Sequence, residues 1–223
     1  MKKLFISLFV FSITCCFGQK DTLQIGDKYA DDQLYVSLTY NQFFSQPTQV
    51  SGTSFSFGLS GGFIKDIPFT NRGNVSLGIG LGYGFDSFNH GIKVSALAND
   101  YTFSVDNTIS SNKLSIQTIE LPLELRWRTS TVNKYKFWRI YTGVKFGYNI
   151  SNKFSYVENS NTVLIKNIPN FKRLQYGLTL SAGYDAFNAH IYYGLTPLLE
   201  NASIGTSPIN TKIIKIGLIF YIL

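Results

Sequence analysis

From residue 33 onward the chain alternates apolar with polar or small residues in eight separate runs. A period of two marks a β-strand with two unlike faces. The runs cover residues 33–43, 54–65, 75–88, 113–129, 136–151, 173–186, 189–196 and 212–223. In the fourth, Ile119, Leu121, Leu123, Leu125 and Trp127 alternate with Glu120, Glu124, Arg126 and Arg128. No convincing helical period separates the runs. Eight such strands predict an all-β fold, an eight-stranded antiparallel up-and-down β-barrel.

Alternation alone does not say which face points inward, because a soluble barrel would hide its apolar face and a membrane barrel would display it. The connections discriminate. Gaps 44–53, 89–112, 152–172 and 197–211 are long and rich in Asn and Ser, whereas gaps 66–74, 130–135 and 187–188 are short. Short turns at one end, long loops at the other and an even strand number are the habit of outer-membrane barrels. Trp127 and Trp138 flank one short turn, where an interfacial aromatic girdle belongs. The expectation is a transmembrane barrel with its apolar face outward in outer-membrane lipid, monomeric, around a polar lumen filled by side chains.

The third run, "VSLGIGLGYGFDSF", carries Gly78, Gly80, Gly82 and Gly84 at every second position. This spacing is neither the dinucleotide fingerprint nor a P-loop. Glycine weakens a strand interior, so a stripe of it marks close approach from the other side. An eight-stranded bore is only just wide enough for side chains to fill. The fourth and fifth runs send Glu120, Glu124, Arg126, Arg128, Arg139, Tyr141 and Lys145 into it, and the second and third send almost nothing of comparable size. The glycines are expected to make room for that polar cluster, with Gly80 and Gly82 facing it.

Other chemistry is thin. Glu120 and Glu124 have acid–base potential, but carboxylates beside arginines in a closed core are better read as mutual neutralisation, because an unpaired buried charge is costly. His190 is assigned to the inner face, away from the bilayer side where a lipid hydrolase would place it, and His90 begins a loop without a visible partner. No metal-ligand spacing or catalytic cysteine occurs, and neither a cofactor nor an enzymatic activity is expected. Pro122 lies within the fourth run, where a lost ladder hydrogen bond predicts a local bulge. The formal charge of +7 comes from scattered residues, and only 15% of the chain is charged, which is no nucleic-acid footprint.

Residues 1–18 read as a cleaved export signal: Lys2 and Lys3 precede an apolar run that is too short to span a bilayer as a helix. Cys15 and Cys16 both lie inside it, and Thr14 or Cys15 fits poorly the small residue that lipid modification requires. Residues 19–32 would then form a periplasmic tail and residues 33–223 the barrel.

The segments "IELPLELRWR", "FIKDIPF" and "RLQYGLTLSAGYDAF" resemble stretches of Bacteroidetes outer-membrane β-barrels of the PorT-like family. The resemblance covers nearly the whole chain after the leader, through loose motifs. It implies an outer-membrane barrel with a structural or interaction role in the envelope, as an accessory of type IX secretion or gliding and with envelope or secretion-machine proteins as partners. A narrow porin-like channel for small solutes is the alternative, and a lipid-modifying enzyme centred on His190 is the third reading.

Overall fold

The computed structural model describes residues 30–50, 54–70, 73–97, 100–106, 108–129 and 137–222. The leader at 1–18 and the tail as far as residue 29 lie outside the described residues.

Thirteen strands occur in chain order: β1 (Gln33–Phe44), β2 (Phe57–Pro68), β3 (Val75–Asn89), β4 (Ile92–Leu97), β5 (Asp100–Val105), β6 (Ser110–Arg128), β7 (Trp138–Glu158), β8 (Asn161–Lys166), β9 (Leu174–Tyr184), β10 (Phe187–Gly194), β11 (Ser203–Ile204), β12 (Ser207–Pro208) and β13 (Lys212–Ile222). Eight of them, β1, β2, β3, β6, β7, β9, β10 and β13, pair antiparallel with their neighbours, and β1 returns to β13 to close the barrel. Closure runs from Leu34↔Ile222 to Phe44↔Lys212 in one register. A closed sheet has no edge, so its backbone groups need no water within the bilayer.

The faces follow the alternation. On β3, Leu81 is 64% exposed while Gly78, Gly80 and Gly84 are buried. Leu34, Leu38, Leu59, Leu125, Leu178 and Leu218 stand outward around the wall. Apolar residues at such exposure need a lipid solvent rather than water. Trp138 stacks edge-on against Tyr184 at 5.5 Å, and Phe187 does the same against Phe220 at 5.1 Å, near the short turns. A second aromatic group, Tyr40, Phe55, Phe57 and Phe85, lies near the long loops.

Pro122 makes no bulge. The β3–β6 register is unchanged on either side of it, from Ile79↔Leu123 to Gly82↔Glu120, and only the intervening pairs are missing. Its absent N–H faces β3, while on the other side Pro122↔Lys145 stays paired. The ring turns inward over Gly80, where a Cβ would stand 2.8 Å from Pro122 Cγ. The irregularities in β6 fall instead at Ser110/Lys113 and Gln117/Thr118, in its ladder with β7.

The long loops contain structure that the alternation did not reveal. β4 and β5 form a hairpin inside the loop between β3 and β6. β7 outruns β9, whose ladder stops at Tyr148↔Leu174, and continues into a hairpin with β8. Together they carry an apolar core: Phe88, Leu114, Ile116, Phe154 and Ile213 from the barrel strands meet Ile92, Val94, Phe103, Ile168, Phe171, Leu198, Leu199, Ile204 and Ile209 from the connections. The bore is therefore polar over most of its length but closed by an apolar cap at the long-loop end.

Candidate functional site

The side chains that fill the bore form two tiers. Near the short turns, Arg126, Arg128 and Arg139 meet Asp31, Asp66 and Glu124. Arg126 spans Glu124 at 3.1 Å and Asp66 at 3.3 Å, and Arg128 holds Asp66 at 2.8 Å and Asp31 at 3.4 Å. Arg139 lies 3.7 Å from Asp31 and donates to the Asp185 carbonyl. Ser76 donates to Asp66 at 2.6 Å, and Gln33 donates to Asp31 at 2.6 Å. The Arg126 guanidinium also sits 4.6 Å from the Tyr141 ring and 5.6 Å from that of Tyr221, a cation–π arrangement favoured where water is excluded.

Deeper in the barrel, Lys145 pairs with Glu120 at 3.1 Å and Lys215 pairs with Asp86 at 2.6 Å. Tyr35 donates to Glu120 at 3.4 Å, and Asn41 donates to Asp86 at 2.8 Å. Both ammonium groups flank the Tyr192 ring, at 5.3 Å and 5.5 Å. Three cations thus face three anions in the first tier, and two face two in the second. Balance within each tier is what low-dielectric burial demands, since a lone charge there costs several kcal/mol, of order 3–5 once its partner is removed.

All seven cluster residues read from the sequence, Glu120, Glu124, Arg126, Arg128, Arg139, Tyr141 and Lys145, are buried and point into the bore. The alternation missed Asp31 and Asp66 as their partners, and the Asp86–Lys215 pair that shares the second tier. Asp66 falls just past the second alternating run, which ends at residue 65, whereas β2 continues three residues further to Pro68. Asp31 belongs by sequence to the expected tail at 19–32, yet it is 1% exposed and inside the barrel. The expectation that the second and third runs contribute almost nothing large is corrected by Ile64, Asp66, Asp86 and Phe88, all buried.

The glycine stripe does face bulky groups, but in a different pairing from the expected one. A Cβ on Gly78 would stand 2.6 Å from Arg126 Nε, and one on Gly84 would stand 2.8 Å from Glu120 Oε1. Gly80 instead admits Ile64 and Pro122, and Gly82 admits the Tyr35 hydroxyl, contributed by β1. The stripe is a trough with a separate occupant over each glycine. Trp127 and Trp138, 44% and 60% exposed, stand outside the wall.

His190 Nδ1 lies 2.8 Å from Ser181 Oγ, with the Tyr221 hydroxyl a further 3.5 Å away. A serine–histidine contact invites a hydrolytic reading, but both residues are buried inside the bore and face away from lipid. The neighbouring cavities, lined in part by His190, are about 10 Å³ each, too small for any lipid and near the limit for one water. Among the described residues no group of three or more His, Cys, Asp or Glu could hold a metal ion.

His90 belongs to the apolar cap. Its Nδ1 accepts from the Ile92 amide at 3.2 Å, and its ring meets Phe154 edge-on at 5.6 Å. Burial pushes its imidazole pKa down to about 4. Outside the cap, Lys93 bridges Asp106 at 2.8 Å and Glu158 at 2.7 Å, tying the β4–β5 hairpin to the end of β7.

No curated protein matches the chain. The family described as outer membrane protein beta-barrel domain matches residues 17–200, most of the sequence and seven of the eight barrel strands. The eighth, β13, lies beyond the match, yet it pairs with both β1 and β10 and completes the same closed sheet. An apolar outer wall, short turns opposite long loops and a neutralised polar bore agree with that match, and the chain belongs to the outer membrane protein beta-barrel domain family.

Proposed function

We propose that this barrel is a non-conducting, non-catalytic anchor in the outer membrane that works through its ends rather than its bore. One observation carries the reading: the lumen is occupied along its length. Two charge-balanced tiers fill the polar part, and the apolar cap fills the rest. The cavities left among the polar side chains are about 20, 10 and 10 Å³, each with room for about one water. A solute pathway would need these ion pairs to part, and each parting exposes a buried charge.

The surfaces left for interaction are the loop cap at one end and the short turns at the other. The resemblance to PorT-like barrels supports an accessory role in type IX secretion or gliding, with envelope proteins as partners. Export by a leader at residues 1–18 accompanies this reading, and the intact mass of the purified protein tests it: a chain beginning at Gln19 supports it, and a diacylated chain beginning at Cys15 or Cys16 overturns it.

Planar-bilayer recording tests the anchor itself. The expected trace is flat, with no stable open level. Large, steady conductance would replace the anchor with a narrow porin-like channel. Cross-linking in intact outer membranes followed by co-purification then identifies the partners, and capture that persists after residues 92–105 are deleted would move the contact away from the cap.

A further inference from the structure

At the long-loop end of the barrel, β7 leaves β9 at Tyr148↔Leu174 and goes on to pair with β8. A crevice of about 450 Å³ opens at this fork, lined by Tyr148, Asn149, Asn152, Asn167, Phe171 and Arg173 among others, with no Asp or Glu. Cations sit on the segments that form it. Arg173 lines it and is exposed, and Asn152 and Asn167 are each followed or preceded in sequence by an exposed lysine, Lys153 and Lys166. Those two lysines are directly opposite each other across the β7–β8 ladder. Lys113 stands two pairs further along, on the same face, opposite Ser155.

Like charges directly opposite in a ladder destabilise it, and Lys113, Lys153, Lys166 and Arg173 have no ion-pair partner among the described residues. Every cation in the bore is neutralised, whereas these are left concentrated. Immediately towards the short turns, the wall becomes apolar: Tyr148, Ile150, Leu174 and Tyr176 are between 41% and 53% exposed. A ligand matched to this place is anionic at one end and hydrocarbon at the other.

We propose that the fork between β7 and β9 binds a phosphate-bearing lipid of the outer leaflet. Its phosphate sits among Lys153, Lys166 and Arg173, and its chains lie along Tyr148, Ile150, Leu174 and Tyr176. Long loops face the exterior in barrels of this kind, which places the crevice at the outer headgroup layer. The bound phosphate relieves the Lys153–Lys166 repulsion, so the lipid also holds the β7–β8 hairpin against the barrel.

The test uses the full-length protein, delipidated in neutral detergent and titrated with dioleoylphosphatidic acid and with dioleoylglycerol, which differ only in the phosphate. Native mass spectrometry reads the bound fraction. Phosphatidic acid is expected to bind selectively, and each of Lys153→Gln, Lys166→Gln and Arg173→Gln to weaken it about fivefold, with about a hundredfold for the triple variant. Lys65→Gln, a lysine at the short-turn end that is paired with Asp32, should leave it unchanged. Heat-dependent gel mobility confirms that each variant is folded, and the single Lys153→Gln variant, which removes a repulsion, serves if the triple variant is not. Equal binding of the two lipids, wild-type affinity in the variants, or displacement by inorganic phosphate at concentrations equal to the lipid's would each overturn the proposal, the last by showing a plain anion site.

Discussion

Adding one methyl group to the glycine trough has consequences that depend on which side chain lies above it. A Cβ at Gly82 would fall on the Tyr35 hydroxyl, with Tyr35 Cζ at 3.0 Å and the Gly61 carbonyl at 2.9 Å. Tyr35 is 3% exposed, and its hydroxyl reaches Glu120, so the ring cannot simply swing into solvent. Overpacking of this kind costs about 1–3 kcal/mol. Removing a strand glycine returns about 0.5–1 kcal/mol of backbone entropy, which leaves Gly82→Ala destabilised by roughly 0.5–2 kcal/mol. Tyr35→Leu removes the obstructing ring, so the double variant should recover at least about 1 kcal/mol relative to additivity. Gly78→Ala provides the contrast. It lies four residues along the strand, about 13 Å away, and its Cβ would meet Arg126 rather than Tyr35. Gly78→Ala and Tyr35→Leu should therefore add to within about 0.5 kcal/mol. Urea-driven unfolding from lipid vesicles, followed by the fluorescence of Trp127 and Trp138, measures all the corners. Additivity of Gly82→Ala with Tyr35→Leu, or a harmless Gly82→Ala, would refute the trough.

Three further outcomes are expected. Leu81→Arg, at a position 64% exposed on the outer wall, should lower folding stability in bilayers by about 2–4 kcal/mol, and wild-type insertion would contradict the apolar-outward wall. Asp66→Asn leaves Arg126 and Arg128 short of one counter-charge and should cost about 3–5 kcal/mol, with partial recovery when Arg128→Gln restores neutrality; the urea midpoint reads both. Folding depresses the His90 pKa from 6.5 to about 4, so the unfolded cap holds the proton more tightly and stability rises with pH. The cap should be at full strength above about pH 6.5 and lose at most about 3 kcal/mol as pH falls through about 4. Hydrogen exchange in residues 92–105 should show this in wild type and lose the slope in His90→Leu; an unchanged slope would assign it to other groups.

Much of the barrel was legible because alternation is a local property. Each residue's face follows from its neighbours two places away, so eight strands, the outward leucines and the inward glycines could be read without knowing which strand pairs with which. The Pro122 bulge was misread for a related reason. The proline cost could be placed on a strand, but whether its missing N–H faced a partner or a gap depends on two neighbouring ladders at once. Asp66 escapes the alternation because β2 runs three residues past the end of the second run, and Asp31 because it precedes the first alternating run altogether.

The sequence by itself determined the number of barrel strands, the apolar wall and the presence of a charged interior, since all three are written in a period of two. Only the tertiary structure decided how that interior closes. Arg126 and Arg128 both reach Asp66, 60 or more residues away in the chain, and each glycine of the stripe is matched to an occupant on another strand. The apolar cap likewise forms because four separate connections converge over one opening. Contacts across a bore depend on curvature, register and closure together, and none of these is a property of any single strand.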